Sequence, residues 1–90
     1  MTADVDDKIP ILNSMYRLQW EQAQDSHVLL YPEGMVKLSA SAAEILGRVD
    51  GKATIGTIVS DLKDVFDGAD LRDDVVNFLN QASENGWIDL

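Results

Sequence analysis

Cysteine is absent from this chain, so its own residues can build neither a disulfide, nor a zinc-thiolate site, nor an iron-sulfur cluster. A reducing cytosol fits that absence, and a cytoplasmic location is the expectation. Long apolar runs are missing too. No stretch approaches the ~18 consecutive apolar residues that span a bilayer, and the opening MTADVDDKIP is acidic and polar, unlike the basic-then-apolar start of a secretory signal. Bases are scarce: seven against 16 acids, for a formal charge of -9. Lys8, Arg17, Lys37, Arg48, Lys52, Lys63 and Arg72 are scattered, which argues against a phosphate-binding face. Ninety residues, 46% of them apolar, suffice for one modest core but not for a core and a deep catalytic cleft.

What is present falls into two halves with different periods. Residues 1–12 carry little pattern and read as a flexible tail, with a single domain over 13–90. From Tyr16 the pattern alternates, Tyr16, Leu18 and Trp20 on one face and Arg17, Gln19 and Glu21 on the other, which is a half-buried strand. A second strand is expected over His27 to Tyr31. In Tyr31-Pro32-Glu33-Gly34 the proline presets a turn and the glycine supplies a positive φ, so Met35-Val36-Lys37-Leu38 returns as a third strand. Met35 and Lys37 then face opposite to Val36 and Leu38.

Beyond Leu38 the period becomes helical. The spacing Ser41-x-x-Glu44 is that of a capping box and predicts a helix starting near Ser39 to Ser41, buried through Ala42, Ile45, Leu46 and Val49, and ended by Asp50-Gly51. Thr54 caps a second helix with its stripe at Ile55, Ile58, Val59, Leu62, Val65 and Phe66. Asp70 caps a third, which carries Leu71, Val75, Phe78, Leu79 and Ala82. Trp87 to Leu90 fold back on the core. Three strands followed by three helices predict an α+β domain, a three-stranded antiparallel sheet and a three-helix bundle resembling a winged helix-turn-helix.

Catalytic constellations are lacking. The single His27 has no cysteine or serine placed to work with it, and a histidine opening a strand is more often structural. Asp67, Asp70, Asp73 and Asp74 lack the ligand spacing of a calcium loop, and carboxylates early in a helix answer to its dipole. No glycine-rich phosphate cradle and no metal or cofactor site is expected. Asp25-Ser26 resembles the start of an acyl-carrier motif, but His27 and a strand follow where leucine and a helix are needed. The winged-helix outline keeps nucleic-acid binding as the alternative, although LRDDVVNFLNQASEN offers only Arg72 against Asp73, Asp74 and Glu84. The remaining reading is a binding surface: the Met35 strand lies at a sheet edge, open to another extended chain, and the third helix carries Val75, Val76, Phe78 and Leu79, more than a narrow buried stripe requires.

The segments YRLQWEQAQDSHVLLYPEGMVKLSASAAEIL, DGKATIGTIVSDL and DVVNFLNQASENGWI closely resemble the pyrroloquinoline quinone biosynthesis protein D (PqqD) family, from Ile9 onward. Ser39 stands where that family often has asparagine; both residues cap helices. The resemblance implies a peptide chaperone rather than an enzyme. It implies two partners, the ribosomal precursor peptide of the quinone and a radical S-adenosylmethionine enzyme that crosslinks a glutamate and a tyrosine in it. It also implies a site in which the peptide adds as a strand to Met35, Val36, Lys37 and Leu38 and packs on a helix face drawn from Arg72, Val75, Val76 and Leu79.

Overall fold

The computed structural model describes residues 5–90. A 3-10 turn, Val5–Asp7, leads into strand β1 (Ile11–Leu12), then β2 (Arg17–Glu21), β3 (Ser26–Tyr31) and β4 (Gly34–Lys37). Helices α1 (Ala40–Leu46), α2 (Ile55–Val65) and α3 (Arg72–Glu84) follow, and β5 (Ile88–Asp89) closes the chain. β2, β3 and β4 form an antiparallel sheet in that order, as the alternation and the turn at Pro32-Glu33 predict, with Leu29 opposite both Leu18 and Val36. Gly34 takes a φ of 155° where the hairpin closes on Tyr31.

One face of this sheet is covered by helix. Leu29, Leu38, Ile45, Leu46, Ile55, Ile58, Leu62, Val75, Leu79 and Ile88 make one continuous core, with Val36 and Val76 packed on its margin. α1 rests on β3, α2 on α1 and α3, and α3 on β5. Thr54 caps α2 as its position predicts, its hydroxyl accepting from the Thr57 N–H at 3.1 Å.

Elsewhere the local signals resolve differently. Ser39, not Ser41, caps α1, accepting from the Ala42 N–H at 3.2 Å. Glu44 therefore closes no capping box; one turn on, it pairs with Arg48 at 2.9 Å. α1 stops at Leu46, so Val49 reaches the core from the loop. Asp70 is not the cap of α3 but precedes it, and its carboxylate receives only a long bond from the Arg72 N–H at 3.4 Å. Trp20 is half exposed and meets His27 in a T-shaped contact, ring centroids 5.1 Å apart, outside the core.

Residues 1–4 of the expected tail lie outside the described residues. The remainder is tied down rather than free. β1 pairs with β5, Pro10 is fully buried, and the Lys8 carbonyl accepts from the Ile55 N–H at 2.9 Å. A two-residue pairing has no detectable alternation, so only tertiary contact creates it.

Leu29 is 0% exposed at the centre of the core, and Leu29→Ala is expected to cost about 2–5 kcal/mol in denaturant unfolding. In the α1–α2 loop the Asp50 carboxylate accepts from the Ala53 and Lys52 N–H groups at 2.8 and 2.9 Å. These bonds hold its pKa below the ordinary 3.8. The stability it contributes is therefore present above that ordinary value and is lost as pH falls through the depressed folded one. The stability difference between wild type and Asp50→Asn should accordingly shrink on acidification; a constant difference would contradict the assignment.

Candidate functional site

Among the described residues β4 pairs only with β3, so its other side is an open edge. Which of its backbone groups face that edge follows from one bond. The Leu38 N–H donates to the His27 carbonyl at 3.0 Å, so Leu38 and His27 form a hydrogen-bonded pair. In an antiparallel ladder such pairs alternate with pairs that exchange no bonds. With Val28 opposite Lys37, Leu29 opposite Val36 and Leu30 opposite Met35, Val36 and Gly34 bond inward to β3. Met35 and Lys37 present their N–H and C=O groups outward. Their side chains lie on the sheet face away from the helices, while Val36 and Leu38 point toward the core.

The eight residues singled out from the sequence thus separate by role. Met35 and Lys37 are exposed and aim backbone groups at the open edge. Val36 is half-buried and Leu38 is buried, so these two hold the strand in place rather than offer it. On α3, Val75 and Leu79 are buried in the core at 1% and 0% exposure, and Val76 is half-buried. Arg72 is exposed at the start of the helix, its guanidinium bonded to Asp6 at 2.9 and 3.1 Å.

Two residues outside that set complete the surface. A cavity of about 270 Å³ lies between the first turn of α1 and the corner joining α2 to α3, and Phe66 and Phe78 line it with Leu71 and Val75. Ser39 is also in its wall, directly after Leu38, so the cavity takes up where β4 ends. Phe78 carries a visible signal, since it lies beside Leu79 on a helix with more apolar positions than one stripe holds. Phe66 does not: its spacing in α2 places it in the buried stripe, yet it stands 44% exposed because the helix ends one residue before it.

A larger cleft, about 670 Å³, opens between the β2–β3 hairpin and α1, bordered by Leu18, Trp20, His27 and Gly47, with Arg48 on its rim. His27 is engaged there with Trp20. Among the described residues no group of three or more histidine, aspartate or glutamate side chains is placed to hold a metal ion. No helix among them is long and apolar enough to cross a membrane.

The orientation of Val36 yields a direct check. Val36→Pro removes a donor bonded to the Leu29 carbonyl and leaves that buried acceptor unpaired, a loss of about 1–3 kcal/mol from this term alone. Lys37→Pro removes an outward N–H, which edge strands tolerate. Circular dichroism melts should therefore show a large loss for the first and a small one for the second; the reverse order would mean that the strand is phased the other way.

Comparison with known proteins bears on this geometry. The family model for PqqD, Coenzyme PQQ synthesis protein D, matches residues 26–88. A PqqA binding protein of Azotobacter vinelandii is 54% identical over 83 residues, covering 91% of this chain and 90% of its own length. One from Acinetobacter baylyi is 50% identical over 80 residues, covering 88% of this chain and 81% of its own. Among solved structures, the solution NMR structure of the PqqD truncation of Methylobacterium extorquens PqqCD superimposes with a TM-score of 0.80 at 26% identity, covering 99% of this chain and 97% of its own. That protein is described as a functional, stand-alone recognition element for ribosomally synthesised and post-translationally modified peptides.

Proposed function

This chain belongs to the PqqD family, and from that premise we propose that it is a non-catalytic chaperone of quinone cofactor biosynthesis that binds the precursor peptide PqqA as an added strand on β4. The observation that carries the reading is the outward aim of the Met35 and Lys37 backbone groups on an edge that no strand among the described residues covers. A peptide laid there meets two donors and two acceptors in a fixed phase, which sets its register. The chaperone then presents the bound peptide to its modifying enzyme, a radical S-adenosylmethionine protein that joins a glutamate to a tyrosine. Both act in the cytoplasm.

Magnitudes decide where selectivity resides. Each new backbone bond replaces one to water and is worth about 0.5–1.5 kcal/mol, so four of them supply register but not tight binding once the cost of ordering the peptide is met. Apolar side chains must add the remainder, at roughly 25 cal/mol per Å² removed from water. The half-buried Val76 and Phe78 on α3 are suited to receive them. Arg72, at the head of that helix, offers a cation that a peptide carboxylate can share with Asp6.

The test is a titration of the chain with PqqA read by amide hydrogen exchange. Met35 and Lys37 should gain protection while Val36 and Leu38, already bonded to β3, change little. Saturating peptide without new protection at Met35 and Lys37 would refute the strand-addition reading.

A further inference from the structure

The corner where α2 meets α3 is built against its own stability. Val65 and Phe66 stand 53% and 44% exposed at the end of α2, where the preceding turns bury Ile58 and Leu62 completely or nearly so. Asp64 lies in the last turn of that helix and Asp67 just beyond it, at the end whose dipole disfavours carboxylates. Between residues 61 and 74 there are six acids and two bases, and one of those bases, Arg72, is bonded to Asp6. Within this acidic surround opens the 270 Å³ cavity lined by Phe66, Leu71, Val75 and Phe78, with Asp74 its sole ionisable lining residue. Asp73 and Asp74 suit the first turn of α3, but Asp64 and Asp67 gain nothing from their helix.

We infer that this corner is a second contact for the precursor peptide, taking a segment in which an apolar or aromatic side chain is flanked by lysine or arginine. The inference rests on the strand-addition reading, because Ser39, two residues past the end of β4, stands in the cavity wall and puts the cavity at the end of that edge. The apolar side chain enters beside Phe66 and Phe78. The flanking cation meets Asp74 in the cavity wall and Asp67, next to Phe66 in the chain. Complementary charge selects this occupant over an acidic or neutral one, and the exposed Phe66 ring, with half-buried Phe78 beside the same cavity, provides the anchor that the edge alone lacks.

The full chain, as wild type, Phe66→Ala and Asp67→Asn/Asp74→Asn, is titrated with synthetic PqqA by calorimetry at low and high salt, with amide exchange followed at saturation. Asparagine tolerates the left-handed conformation of residue 67, where φ is 58°. Phe66→Ala should weaken binding about ten-fold, and the double neutralisation about three-fold at low salt with a shallower salt dependence. Protection at Met35 and Lys37 should persist in both variants. Wild-type affinity and salt dependence in both variants, with that protection intact, would overturn the corner contact and leave strand addition standing. Affinity that depends on Phe66 and the two acids, without protection at Met35 and Lys37, would overturn strand addition and keep the corner. Absence of binding to the wild-type chain would overturn both.

Discussion

The 3.0 Å hydrogen bond from the Leu38 N–H to the His27 carbonyl sets the phase of β4, and most of what this small protein can do depends on that phase. A shift by one residue would turn Val36 and Leu38 out of the core and aim their backbone groups at the edge instead. With the observed phase, the strand is held by two apolar side chains on one face and offers Met35 and Lys37 backbone groups at its side. The liability of an open edge is limited by its length of four residues and by the charge on Lys37. Such an edge resists indiscriminate pairing yet remains available to a chosen chain.

Availability of an edge is different from affinity. Backbone bonds confer direction and register on any extended peptide, whereas discrimination has to come from side chains. Val75 and Leu79 of α3 are committed to the core and cannot supply it. Val76 and Phe78 beside them are half-buried, and Val65 and Phe66 at the end of α2 are exposed. The acidic balance of the chain has a location: six of its acids lie between residues 61 and 74, about the corner where Phe66 stands exposed.

Much of this was legible from residues alone. The change of period at Leu38, the turn at Pro32 to Gly34 and the alternation of Met35 to Leu38 specify an α+β domain with β4 at an edge, because each depends on neighbours in sequence. What was hidden depends on distant partners. Periodicity identifies Leu38, Val75 and Leu79 as one-faced but does not say that the core, rather than a ligand, covers that face. The β1–β5 pair is too short to alternate, and the choice of Ser39 over Ser41 as cap is settled by where β4 releases the chain. Val65 and Phe66 continue the helical stripe of α2, yet both stand exposed where the helix ends.

The central claim is that Met35 and Lys37 bond directly to an incoming strand. Scalar couplings transmitted across hydrogen bonds, measured between the amides of this chain and the carbonyls of isotopically labelled PqqA, test it most directly. Couplings from the Met35 and Lys37 amides, and none from Val36, are predicted. Saturated binding in which the couplings arise from the outer edge of β2, or in which no coupling involves β4, would contradict it.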